Sequence, residues 1–230
     1  MAQPMQKLIS FLTLAGITER LTEDMSACLQ GGIAKRGRAS LAVSGGRTPE
    51  HIFPTLACRP LAWDRITITL ADDRWVDGDH PDSNAGLTRR LLLKGPASAA
   101  HFVGLKTAHE HPDDGLAETE AALARMDWPL DVIYLGMGED GHIASLFPGT
   151  GDWMAAPGRA VAVAATAGRQ ARMSLTSAAL LDSWHIFMVI SGAAKKATYE
   201  AALKPGPVGE YPVRLILHQD RVPVTVYVAP

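Results

Sequence analysis

Short, nearly unbroken apolar runs recur along this chain, separated by stretches where apolar side chains return every three or four residues. The runs at 40–43, 66–70, 132–135, 160–164, 185–190 and 224–228 read as strands. Between most of them, residues 49–57, 83–93, 116–125, 177–181 and 193–203 read as helices. An earlier helix is predicted over 18–35, where Leu21, Met25, Cys28, Leu29 and Ile33 share one face. Thr18 is its expected N-cap and Gly37 its stop. Strands alternating with helices predict an α/β fold: a Rossmann-like, largely parallel sheet with helices on both faces. No repeat, low-complexity stretch or linker interrupts the pattern, so one domain over 1–230 is expected. The segment Lys204-Pro205-Gly206-Pro207-Val208-Gly209 reads as a surface loop.

Composition narrows the classes. At 230 residues, 47% hydrophobic and 20% charged, the chain has enough core to fold as an ordinary soluble protein. A net charge of −2 gives no general attraction to nucleic acid or to an anionic membrane. An anionic ligand would need a local cluster of donors. Cys28 and Cys58 are the only cysteines and form no CxxC pair, which fits a reducing compartment. The stretch from Met1 to Lys7 lacks the apolar core of a leader, and no run reaches membrane-spanning length. A cytoplasmic protein is expected.

Three strand ends carry candidate chemistry. After the first strand, Ser44-Gly45-Gly46-Arg47-Thr48-Pro49 offers two glycines for the positive φ of an anion-cradling turn. Thr48 is placed to cap the next helix and Pro49 suits its first turn, whose free N–H groups would seat a phosphate. After the second, Asp72-Asp73-Arg74-Trp75-Val76 reads as a polar turn. Arg74 is a candidate clamp, because a guanidinium meets phosphate or carboxylate oxygens with two parallel bonds. After the third, Asp140 and His142 sit in a glycine-rich turn. The imidazole can accept a proton near neutral pH and return it, and Asp140 or Asp72 would orient it. A helix starting just after His142 would favour its neutral form. Arg172, Lys195 and Arg214 supply further positive charge, each by itself an ordinary surface residue. Ser145 is a weak nucleophile candidate, since no Gly-x-Ser-x-Gly elbow is present. His109 and His111 lack the helical i, i+4 pairing of a zinc site, so neither metal nor cofactor is expected.

The motifs in this order resemble the 6-phosphogluconolactonases, which share a fold with glucosamine-6-phosphate deaminases. The resemblance rests on residues 44–49, on Asp72-Asp73-Arg74-Trp75-Val76 with Ser83-Asn84, and on the block from Leu135 to Pro148. Weaker matches are Arg172-Met173-Ser174-Leu175-Thr176 and 191–195. It implies a NagB/RpiA-like fold and hydrolysis of a phosphorylated sugar lactone. Ser44, Gly45, Gly46, Thr48, Arg74, Arg172 and Lys195 would bind substrate, with His142, Asp140 and Asp72 at the reacting end. Neither nucleic acid nor membrane is an expected partner, and a monomer or small homo-oligomer is. Asp73 stands where the lactonase pattern has Glu, an expected change in local ion pairing. Deaminases carry a catalytic Glu where this chain has Phe147, which disfavours a deaminase or isomerase. A phosphosugar sensor without catalysis is the other alternative, and residues 1–40 offer little room for a DNA-binding segment.

Overall fold

The computed structural model describes residues 6–150 and 152–230; residues 1–5, part of the stretch read for a leader, lie outside it. In chain order the main elements are β1 (Gln6–Ser10), α1 (Leu14–Arg36), β2 (Ala39–Val43), α2 (Pro49–Ala57), β3 (Ile66–Leu70), β4 (Asp72–Arg74), α3 (Asn84–Leu91), β5 (His101–Phe102) and α4 (Pro112–Leu123). There follow β6 (Val132–Gly136), β7 (Ala160–Val163), β8 (Arg172–Leu175), α5 (Ser177–Leu180), β9 (Ile186–Ser191), α6 (Ala193–Ala202), α7 (Arg214–Leu217) and β10 (Val224–Ala229).

Seven strands form one sheet in the order β1-β10-β9-β6-β2-β3-β5, with every pairing parallel. Its central strands are buried along their length, which is why they read as continuous apolar runs rather than alternating ones. Helix α1 lays Ile17, Leu21, Met25 and Leu29 against the sheet side of the core, each fully buried. Such side chains contribute roughly 1.5–3 kcal/mol apiece. Cys28 and Ile33, expected on that face, are only half-buried.

The helix starts earlier than its apolar spacing suggested. Thr13, not Thr18, is the N-cap, its Oγ1 accepting from the Gly16 amide at 3.2 Å. Thr18 lies inside the helix and turns its hydroxyl back to the Leu14 carbonyl at 3.0 Å. Gly37 ends the helix as expected, at φ +79°.

A second, three-stranded antiparallel sheet, β4-β8-β7, was not foreseen. The polar segment read as a turn at Asp72 is its first strand, and the run at 160–164 belongs here rather than to the parallel sheet.

The chain builds outward from β2 through β3 to β5, then returns to place β6 on the other side of β2. The strand order therefore reverses between β2 and β6. A crevice opens at such a reversal beyond the carboxyl ends of the strands, because the following connections leave toward opposite sides.

Candidate active site

That crevice is a cleft of about 340 Å³ between the turns after β2 and β6. Of the ten residues expected at the site, nine line it: Ser44, Gly45, Gly46, Thr48, Asp72, Arg74, His142, Arg172 and Lys195. Asp140 stands behind His142 and completes the set.

On the β2 side, only Gly46 uses a positive φ, +102°. Gly45 is needed for a different reason: a Cβ there would collide with the Asn84 side-chain amide. Thr48 adopts helical backbone and makes no side-chain capping bond, so the expected cap at α2 is not formed. Among the described residues, the amides of Gly45, Gly46, Arg47 and Thr48 donate to no protein oxygen. They open toward the N-terminus of α2, where Pro49 takes the first position.

On the β6 side, the turn folds back on itself. Gly138 N–H donates to the His142 carbonyl at 2.9 Å and Gly141 N–H to the Gly138 carbonyl at 3.1 Å. Gly138 has no side chain because a Cβ would overlap the imidazole and the Asp140 carboxylate. Asp140 Oδ1 lies 2.6 Å from His142 Nδ1 and also accepts the His142 amide at 3.1 Å. A carboxylate can only accept, so Nδ1 carries a proton, and in the neutral imidazole the lone pair lies on Nε2. Burial pushes the Asp140 carboxyl up, but the bonds and charge of His142 outweigh it and hold it below the usual carboxylate range. No helix follows this turn, contrary to one sequence expectation; residues 142–149 are irregular.

Ala144 sits in this segment at φ +47°, the left-handed region that a Cβ disfavours. Ala144→Gly is expected to raise unfolding free energy by about 1 kcal/mol or less, since relief of strain exceeds the entropy Gly adds to the unfolded chain. Urea unfolding checks this, and a destabilised variant would show that the buried methyl and the added chain entropy outweigh the strain relieved.

The third wall is the antiparallel pair. Register places Arg74 directly opposite Arg172, and Asp72 opposite Ser174. Like charges facing each other across a ladder repel, so the pair is a standing demand for an anion. One carboxylate answers part of it. Arg172 Nη1 donates to Asp72 Oδ2 at 3.3 Å, and the Ser145 hydroxyl donates to the same oxygen. Asn84 Nδ2 donates to the Asp72 carbonyl at 2.8 Å and turns its own oxygen to Arg74 Nη1 at 3.0 Å. Arg74 Nη1 also donates to the Asp82 carbonyl at 2.7 Å. No hydrogen bond joins Asp72 to His142 among the described residues.

Burial lowers the pKa of Arg172, with Asp72 opposing the shift and Arg74 adding to it. Burial lowers that of Lys195 as well, helped by the nearby charge of Arg47 and opposed by Glu139. Cations thus line two sides of the cleft of a protein with net charge −2. Four buried polar atoms here lack any protein partner: Ser44 Oγ, Tyr134 Oη, Arg74 Nε and Arg172 Nε.

Two other charges have structural roles. Asp73 is buried and accepts the amides of Asn84 and Ala85 at 2.7 and 3.2 Å, stabilising the start of α3 rather than an ion pair. Burial raises its pKa to about 6 against those bonds. Arg214 is not a surface charge. It is buried and ties the 204–210 loop through the Pro207 carbonyl at 2.9 Å and Glu210 at 2.5 Å.

Residues 13–226 match the family described as glucosamine-6-phosphate isomerases/6-phosphogluconolactonase. The chain belongs to this family. A 6-phosphogluconolactonase of Mesorhizobium japonicum is 40% identical over 225 residues, 95% of this chain and 90% of that protein. The crystal structure of a 6-phosphogluconolactonase from Shewanella baltica is similar at a TM-score of 0.95, with 35% identity over 98% of both chains. A monomeric glucosamine-6-phosphate deaminase, 17% identical over 97% of each chain at a TM-score of 0.76, shares the fold alone.

Within this family the environment of residue 147 is informative. Phe147 packs 4.6 Å from the His142 ring, between centroids, and under the Arg169 guanidinium at 3.8 Å. A phenyl group relays no proton, so residue 147 offers the imidazole packing rather than acid–base chemistry.

Among the lining residues left unassigned by sequence reasoning, three have polar side chains. Arg47 stood inside the glycine motif, and Asn84 in the matched Ser83-Asn84 pair; both were visible but unassigned. Tyr134 carried a fainter signal, a single hydroxyl in an otherwise aliphatic run.

Proposed function

We propose that the protein hydrolyses 6-phospho-D-glucono-1,5-lactone to 6-phospho-D-gluconate, the second step of the oxidative pentose phosphate pathway. The observation that carries this reading is the Asp140–His142 pair at 2.6 Å, presenting a lone pair to a cation-lined cleft. The phosphate is seated by Ser44, Gly45, Gly46 and Thr48 at the start of α2, with Lys195 and Arg74 supplying charge. That grip on the far end of the substrate sets the lactone carbonyl beside His142.

His142 Nε2 then takes a proton from water as its oxygen bonds to C1, and Asp140 stabilises the imidazolium. The amides of Gly138 and Gly141 are already used within their turn. The oxyanion at C1 is therefore met by Arg172, whose Nε has no protein partner. As the C1–ring oxygen bond breaks, Nε2 returns the proton to the leaving oxygen. Asp72 holds Arg172 in place, and Ser145 is no nucleophile because its hydroxyl is committed to Asp72.

Freshly generated 6-phosphogluconolactone, followed against its spontaneous opening in buffer, tests the reading directly. No acceleration over buffer rejects it, and ammonia released from glucosamine 6-phosphate would favour the deaminase class instead. Arg74→Ala is expected to raise KM about tenfold or more for the phosphorylated lactone and little for gluconolactone, as loss of a charge-assisted bond to phosphate predicts. Equal effects on both substrates would show that Arg74 does not read phosphate.

A further inference from the structure

Tyr134 is the one aromatic residue of β6, wholly buried, and it lines the cleft. Its ring meets Phe53 of α2 edge-on, with centroids 6.4 Å apart. Its backbone pairs with Val43, the last residue before the glycine turn, and its carbonyl accepts the Ser44 amide at 3.1 Å. Yet its hydroxyl has no partner in the protein, and neither has the hydroxyl of Ser44, which lines the same cleft. A buried O–H without a protein partner costs more than a Phe in the same place would, so no contact within the protein rewards the oxygen atom. Both residues line the cleft together with Gly45, Gly46 and Thr48, whose amides donate to no protein oxygen among the described residues.

We infer that Tyr134 Oη is a hydrogen-bond donor to the phosphoryl group of the bound sugar, working with Ser44 on the floor of the anion seat. This rests on the phosphosugar reading of the cleft and adds a contact that sets its preference for phosphorylated ligands. The phenol is neutral and held by packing, so it donates in fixed geometry without adding charge.

Tyr134→Phe removes the oxygen and nothing else. Thermal unfolding of the free variant is expected at or above the wild-type Tm, because an unsatisfied group has gone. Calorimetric titration should show 6-phosphogluconate and inorganic phosphate each binding about ten- to a hundredfold more weakly, as expected for a lost bond to a charged acceptor. KM for the lactone should rise with them while kcat stays within a few-fold. Unchanged affinity for phosphate, whether or not the sugar ligand weakens, would overturn the assignment. So would a clear fall in Tm, which would mean that the hydroxyl is bonded in the empty protein. Wild-type protein that binds phosphate but does not open the lactone would reject the proposed reaction and leave this contact standing; wild-type protein that binds no phosphate would overturn the contact.

Discussion

His142→Ala is expected to lower kcat for the lactone by about 10²–10⁴-fold, the usual range for a general base. The side chain is part-exposed and makes one bond, to Asp140, so the fold should tolerate its loss with little change in Tm. Affinity for 6-phosphogluconate should remain near the wild-type value, since the anion is held by other groups. Asp140→Asn separates orientation from packing: it keeps the shape but can present an N–H to Nδ1, favouring the wrong tautomer. Its activity should fall too, toward that of the alanine variant at position 142. Wild-type turnover in His142→Ala would remove the imidazole from the mechanism.

Asp72→Ala is expected to cost about 3–5 kcal/mol of stability, as for removal of one partner from a buried ion pair. The Asp72 and Arg172 side chains are 6% and 15% exposed, so water replaces little of the lost interaction. Without the carboxylate, Arg172 is left facing Arg74, and Ser145 loses its acceptor. Added phosphate should stabilise Asp72→Ala more than it stabilises the wild type, because it also supplies the missing negative charge; an equal gain in both would be ordinary binding at the anion seat. Urea unfolding with and without phosphate measures both effects. A loss below about 1 kcal/mol would place the pair among weakly coupled surface bridges.

These two sites were unequally legible in the sequence. Asp140 and His142 lie two residues apart in one turn, so their meeting needs only local backbone geometry set by Gly138 and Gly141. Asp72 and Arg172 are far apart in sequence, and their pairing depends on the register of β4 against β8. β4, Asp72-Asp73-Arg74, is wholly charged and has no apolar period, while β8, Arg172–Leu175, alternates over only four residues. Their extended form comes from pairing with each other rather than from propensity, which is why a turn was expected there. The same holds for β1 and β5, a partly polar strand and a two-residue one at the sheet's two edges.

Residue order alone determined the buried parallel strands, the alternation with helices, the glycine turns at strand ends and the types of chemical group available. Periodic burial and local backbone freedom are written directly into neighbouring residues, so they survive without knowledge of the fold. Only the tertiary structure decided which carboxylate holds the imidazole, that Arg172 leans on Asp72, that Ser145 is already committed, and that the Tyr134 hydroxyl is left alone. Partner choice over long sequence separations is set by register and packing, and those come from the whole chain at once.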